Sequence, residues 1–246
     1  MLAWWVPMMW GGIAGAALLI GGVLGLNERF SSKTISMVMA LGGGVLVAMV
    51  ALELMQGSFE QGGYFAAGVG MLLGSLAFFS ADLMLARQGA KRRKEAAAQP
   101  SSESSGMAIF VGSLMDSIPE AVAIGVSLLK GGAIGWVLVV GVFVSNIPEG
   151  LSATAGMRKA GRSTRYILGL WSAAVAATAV AALIGYVALA RVPEAYVALT
   201  QSFAAGAILT MLASTVFPEA FKEGGPRVGL LTSIGFLIAF FLTQLE

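Results

Sequence analysis

Three acidic residues lie inside long apolar stretches of the chain, where a charged side chain is unusual. They are Asp116, Glu120 and Glu149. A charge at the centre of a membrane costs at least about 2.5–3.5 kcal/mol, and such residues usually mark an ion or proton path. The chain has no histidine and no cysteine, which excludes imidazole and thiolate chemistry. The buried carboxylates are therefore the first candidates for a functional site.

The neighbours of these acids favour a bound cation. Asp116 and Glu120 are four residues apart, so their side chains leave one face of a helix. Ser117 lies three residues before Glu120, and Asn146 lies three residues before Glu149, so these pairs also converge. A mobile cation, a shared proton or a protonated carboxyl would each offset the buried charge, and the clustered oxygens favour the cation.

A proline accompanies each of the two acidic motifs. Pro119 and Pro148 cannot donate a helical hydrogen bond, which releases the carbonyls of Met115 and Val144 as further oxygen donors. The segments 117–121 (SIPEA) and 146–150 (NIPEG) match each other. If the two helices run in opposite directions, the motifs meet near the midplane of the membrane. We predict a cation site whose ligands are Asp116, Glu120, Asn146, Glu149 and Ser117.

An ordinary structural role would also explain each motif. The prolines would then be packing kinks, and the acids would be protonated carboxyls bonded to neighbouring helices. The pairing of two similar motifs favours the functional interpretation. Glu53 and Glu219 lie near helix ends and are weaker candidates, for the entrance and the exit of a pathway.

The composition indicates a membrane protein. Of the 246 residues, 57% are hydrophobic and only 11% are charged, against roughly 25% charged in soluble domains. So few charges cannot cover a water-facing surface, which excludes a cytosolic enzyme or a nucleic-acid-binding protein. The fold class predicted is an all-α polytopic membrane protein with lipid around it.

Runs of about 20 apolar residues, the length that crosses a bilayer, occur eight times. Turn and charge signals separate them. The eight predicted spans are Trp4–Leu26, Ile35–Met55, Tyr64–Ala86, Met107–Leu129, Ile134–Gly156, Tyr166–Ala190, Ala195–Phe221 and Val228–Leu245.

The loop charges predict the orientation. Thirteen of the 15 basic residues fall in one set of alternate loops, and only Lys130 and Arg191 fall in the other. Because basic loops stay in the cytoplasm, both termini are predicted to lie outside. The polar segment 87–106 is predicted to be a flexible cytoplasmic loop. Its basic cluster Lys91–Lys94 is a topology signal or a contact for anionic lipid. The predicted location is the cell membrane (plasma or inner), with several crossings.

The chain resembles the ZIP (Zrt/Irt-like) divalent metal transporters. The shared features are eight spans, a long loop after the third span, and paired polar motifs on the fourth and fifth spans. The likeness is strongest at Met115–Gly125 and Ser145–Gly150. The resemblance implies a single transmembrane domain, 1–246, built as a 3+2+3 inverted repeat in which spans four and five lie between two related triplets. It also implies a homodimer.

The match to that family is incomplete. Asp116 stands where the family's fourth-helix motif has histidine, and Ser145 stands at a frequent ligand position of the fifth, so Ser145 is assigned to the pathway. The sixth and seventh spans carry no acid before Glu219. These differences favour one bound metal ion.

The function predicted is a permease that imports a divalent metal ion by alternating access. The resemblance puts zinc first, and the oxygen-rich ligand set favours manganese or iron next. The metal is the cargo, and no cofactor and no enzymatic activity are expected. Two alternatives stay open: a membrane-bound metal sensor or non-transporting homologue, and a transporter of another solute that uses the acids as proton relays.

Overall fold

The fold consists of long helices that follow the apolar stretches of the sequence. A computed structural model describes residues 3–27, 30–87, 104–129 and 135–244, and these residues form no β-strand. The helices are α1 (Trp5–Gly25), α2 (Ser32–Met49), α3 (Gln56–Arg87), α4 (Ser104–Ser127), α5 (Trp136–Lys159), α6 (Thr164–Leu189), α7 (Glu194–Met211), α8 (Phe217–Gly224) and α9 (Arg227–Thr243). Two π-helical segments join consecutive helices: π1 (Val50–Met55) links α2 to α3, and π2 (Leu212–Val216) links α7 to α8.

Six helical stretches in the described residues are long and apolar enough to cross a membrane. They span Trp5–Gly25, Ser32–Met84, Phe110–Ser127, Leu138–Arg158, Thr164–Leu189 and Glu194–Gly224, and α9 is a shorter apolar helix. The prediction of an all-α, multi-pass membrane protein is confirmed.

The distribution of side chains is that of a protein surrounded by lipid. Large apolar residues face outward, among them Tyr64, Leu72 and Leu230 at 85%, 72% and 67% exposure. Several polar residues are buried instead, including Glu120, Asn146 and Gln201. In water this arrangement would expose too large an apolar surface for a monomeric protein.

The structure changes several predicted boundaries. α4 begins at Ser104, inside the segment 87–106 that was predicted to be a flexible loop, and the largest change concerns the second span. The second span was expected to end at Met55, but the helix continues through the polar segment 56–62 and is interrupted only at Gly63. Gly63 has φ 65° and ψ −168°, a conformation open to glycine because it has no Cβ. The hydroxyl of Ser58 donates a hydrogen bond of 2.7 Å to the Ala198 carbonyl, which ties this extension to α7.

The stretches 32–62 and 194–224 lie antiparallel. Near one end, a Cβ placed on Gly224 would lie 3.6 Å from the Ser36 Cβ, and near the other, Ser58 contacts Ala198. π1 therefore lies toward the end of the bundle where α7 begins, whereas α8 lies toward the end where α2 begins.

Close backbone contacts hold α4 and α5 inside the bundle. α5 packs against α1 and α2, and α4 packs against α6 and α7. At Gly150 a methyl group would collide with the Leu18 carbonyl oxygen, and at Gly125 it would collide with the Ala182 carbonyl oxygen. Small residues at such contacts let helices approach closely in a membrane. The two helices that carry the acidic motifs are thus fixed by their neighbours.

Some predicted features lie outside the described residues. These are the greater part of the flexible loop 87–106, with its basic cluster 91–94, and the residues Lys130, Ile134 and Leu245.

Candidate metal centre

The acidic motifs lie in the middle of two continuous helices. α4 runs through Pro119 and α5 runs through Pro148 without ending, so neither proline breaks its helix. Each proline still removes one backbone donor from the helix. The acids are therefore held on regular helical backbone, beside carbonyls that have lost their usual partner.

Burial of the predicted ligands is nearly complete. Asp116, Glu120, Asn146 and Glu149 are 2%, 1%, 1% and 5% exposed, and Ser117 is fully buried. α4 from Ser104 to Ser127 contains no Lys or Arg, and in α5 the two basic residues are the last two, Arg158 and Lys159. The nearest fixed positive charge on these two helices is therefore Arg158, nine residues after Glu149.

A small cavity brings four helical stretches together at the acids. Its lining includes Glu120 from α4, Ser145 and Glu149 from α5, Met39 and Leu46 from α2, and Met211 and Val216 from α7 and π2. Its free volume of about 10 Å³ is close to the space that one water molecule needs. The cavity therefore suits a single small ligand without its hydration shell.

Other predicted residues lie near this cavity without lining it. Asp116 and Ser117 are on α4, and the Asn146 side-chain amide of α5 donates a hydrogen bond of 3.3 Å to the Ala14 carbonyl of α1. Within the described ranges, no three acidic side chains gather closely enough to hold one metal ion. The two glutamates are thus the carboxylates that the structure brings to one space.

The two weaker candidates lie on opposite sides of the cavity. Glu53 is half-buried in π1, and one of its carboxylate oxygens would lie 2.9 Å from a Cβ on Gly135, just before α5. It is seven residues beyond Leu46, or about 10 Å along a helix axis. Glu219 is half-buried at the start of α8, three residues beyond Val216. Glu53 therefore lies toward the end of the bundle where α7 begins, and Glu219 toward the end where α2 begins.

Sequence reasoning missed the two methionines of the cavity wall. Met39 and Met211 are 5% and 2% exposed and belong to the same cavity lining as the two glutamates. Methionine is a common core residue, so nothing in the apolar pattern distinguished them. The lining of the cavity thus includes two glutamates, one serine and two methionines.

The chain matches no protein-family model and no curated protein sequence. The resemblance to the ZIP transporters therefore stays a prediction that rests on the motifs at 115–125 and 145–150.

Proposed function

We propose that this protein is a permease that moves a divalent transition metal ion across a membrane through the cavity between Glu120 and Glu149. The observation that carries the proposal is that two matching Ile-Pro-Glu motifs, on separate helices, place their carboxylates at one cavity inside an apolar bundle. Two carboxylates in such a setting supply the charge that a dehydrated divalent cation needs. A path through the membrane is the usual role of buried acids in transport proteins.

The proposal includes eight membrane crossings. The stretch Ser32–Met84 has 53 residues, which as one straight helix would be about 80 Å long, far longer than the hydrocarbon core of about 30 Å. The interruption at Gly63 divides this stretch into two segments of membrane-spanning length. α9, with 17 residues, supplies the eighth crossing.

Matching contacts support an internal repeat of three spans. α2 and α7 each have 18 residues and each continues into a π segment. A Cβ on Gly44 of α2 would meet the Thr232 carbonyl of α9, and a Cβ on Gly206 of α7 would meet the Met71 carbonyl of α3. Gly44 and Gly206 hold the same position, the thirteenth, in their helices.

The reverse contacts of the same helix pairs also correspond. A Cβ on Gly235 of α9 would meet the Leu41 carbonyl of α2, and a Cβ on Gly74 of α3 would meet the Phe203 carbonyl of α7. Two triplets of helices related in this way, with α4 and α5 between them, are the architecture of inverted-repeat transporters. Rocking of one group against the other would expose the central site to each side in turn.

The thioethers favour zinc or another transition metal as the cargo over magnesium or calcium. Magnesium and calcium prefer carboxylate, carbonyl and water oxygens, whereas sulfur ligands favour softer ions. With zinc placed first, manganese and iron are the next candidates. The direction proposed, from outside to the cytoplasm, rests on the resemblance to the ZIP transporters.

Uptake into proteoliposomes tests the proposal. Zn²⁺, Mn²⁺, Fe²⁺, Cd²⁺ and Mg²⁺ are offered to the wild-type protein and to Glu120→Gln, with Glu60→Gln as the control. Glu60 is an exposed acid bonded to Gln56, so its substitution changes charge without touching the cavity. We expect flux of at least one transition metal, its loss in Glu120→Gln and its retention in the control.

Two other outcomes would contradict the proposal. Stoichiometric metal binding without flux would favour a sensor or a non-transporting homologue. Absence of both binding and flux would favour a transporter of another solute with Glu120 and Glu149 as proton relays. The lack of a three-acid cluster within the described ranges makes the relay the second candidate, because a relay needs acids in sequence rather than around one ion.

A further inference from the structure

Gln201 is a buried polar residue that does not line the central cavity. It lies on α7, is 3% exposed, and its side-chain oxygen Oε1 accepts no hydrogen bond from the described residues. A buried amide oxygen without a donor costs about 1–3 kcal/mol. Such a cost suggests that the oxygen has a partner in another state of the protein.

The position of Gln201 on α7 directs it along the wall that leads to the cavity. Gln201, Ala204, Ile208 and Met211 recur at intervals of three and four residues, so they share one face of the helix. Met211 lines the cavity, and Gln201 lies ten residues before it, about 15 Å toward the start of α7. Ser202, one residue on, belongs to a different face, where it bonds to the Ala66 carbonyl of α3.

Gln201 has a counterpart in the other half of the proposed repeat. It is the eighth residue of α7, and Met39 is the eighth residue of α2. Met39 lines the open cavity beside Glu149. By the same correspondence, Gly42 of α2 is the counterpart of Ala204 of α7. Gly42 lies close to α5, since a Cβ added to it would lie 2.9 Å from the Cα of Ser145.

The proposed repeat also gives Asp116 a counterpart. The matching motifs of α4 and α5 pair Asp116 with Ser145, since each lies four residues before its glutamate. α2 packs against α5 at Ser145. In the other half of the proposed repeat, α7 is the counterpart of α2 and packs against α4. The carboxylate of Asp116 and the amide of Gln201 therefore belong to the same half of the pathway.

The cavity does not extend into that half. The counterparts of the cavity residues Leu46, Met211 and Val216 are Ile208, Met49 and Leu54, and none of these three lines the cavity. Both sets are buried in one apolar cluster, so the two halves differ in their border with the cavity and not in burial. We call the half that does not border the cavity the closed half.

We propose that the closed half opens to the outside in a second conformation and that Gln201 then binds the entering divalent cation. Its Oε1 atom serves as a ligand together with Asp116, and the ion passes from this outer site to Glu120 and Glu149. The inference rests on the proposed function. It assigns to Asp116 an outer role instead of a place in the central site.

Side-specific labelling tests the opening directly, because the chain contains no native cysteine. Gln201→Cys is treated with a membrane-impermeant maleimide in intact cells and in inside-out vesicles, with Met39→Cys as the matched control. We expect Gln201→Cys to react from the outside and Met39→Cys to react from the inside. Reaction of Gln201→Cys from the inside only, or from neither side in a variant that still transports, overturns the proposal.

Transport kinetics provide a second measurement that does not need the cysteine variant to fold. Gln201→Leu should raise the external metal concentration for half-maximal uptake about 10-fold, and Gln201→Glu should restore it. Unchanged half-saturation in Gln201→Leu overturns the role as a ligand. Absence of flux in the wild-type protein would instead overturn the proposed function, while the labelling pattern can still be read without metal.

Discussion

Two pairs of helices meet at the central cavity and contribute to it differently. α4 and α5 supply the carboxylates of Glu120 and Glu149, and both helices continue without interruption through a proline. α2 and α7 supply apolar walls, including Met39 and Met211, and each passes into a π-helical segment. The acidic residues that line the cavity and the irregular backbone are therefore on separate helices.

This separation suggests a division of roles. Helices that hold ligands need a fixed backbone, and the close contacts of Gly150 and Gly125 restrain α5 and α4. π segments are rare and occur frequently at functional sites, because their wider turn weakens the regular hydrogen-bond ladder. We expect binding to depend on α4 and α5, and opening and closing to depend on α2 and α7.

The largest effect is expected from a substitution of Glu149, and a second Pro-Glu pair elsewhere in the chain provides the comparison. Pro148-Glu149 lies at the cavity, whereas Pro218-Glu219 begins α8. Glu149→Gln should reduce metal uptake more than about 100-fold, since even partners outside the ligand shell are worth 10–100-fold in affinity. Glu219→Gln makes the same chemical change after a proline and should reduce metal uptake far less. Equal losses in the two variants would contradict the assignment of the cavity.

The next effect concerns the restraint on α5. In Gly150→Ala the new methyl group would meet the Leu18 carbonyl oxygen and the Gly22 nitrogen, so we expect a loss of about 1–3 kcal/mol in stability. Gly169→Ala is the control, because a Cβ there meets nothing within 4 Å. Thermal unfolding in detergent measures both variants. A Gly150→Ala protein as stable as the wild type would argue against close packing of α5 on α1.

A third change tests whether the π segment of α7 serves movement. A π segment contains an extra residue relative to an α-helix, so deletion of Ala213 should convert π2 to regular helix. A shift of about 1.4 kcal/mol in the balance of conformations would slow uptake roughly tenfold, with metal binding retained. Ala213→Leu, at the same exposed position, is the control. Loss of binding together with flux would show that α7 belongs to the ligand region.

The smallest effect is expected from the sulfur of α7. Met211→Leu keeps the shape of the wall but removes the thioether, so uptake of Cd²⁺ or Zn²⁺ should fall relative to Mn²⁺ by roughly fivefold, the equivalent of about 1 kcal/mol. Met9→Leu, at a lipid-exposed site of α1, should change neither rate. An unchanged ratio of ions in Met211→Leu would exclude sulfur from ion selection.

The sequence predicts the helices and the placement of the acids better than it predicts the cavity. Apolar runs of membrane-spanning length and the charges between them indicate the helices directly. The extension of the second span to Gly62 was missed, because the polar residues there resemble a turn until the contact of Ser58 with Ala198 is known. Met39 and Met211 were missed because an apolar residue beside a ligand looks like any core residue. The π segments depend on packing between helices that are distant in the sequence.

The most direct test of the central claim is to locate a bound ion by anomalous diffraction from crystals grown with Zn²⁺, Mn²⁺ or Cd²⁺. The account predicts a peak in the cavity, with carboxylate oxygens of Glu120 and Glu149 at about 2.0–2.2 Å from zinc, and its loss in Glu120→Gln. A protein that binds the ion elsewhere, with the cavity between these two glutamates empty, would contradict it.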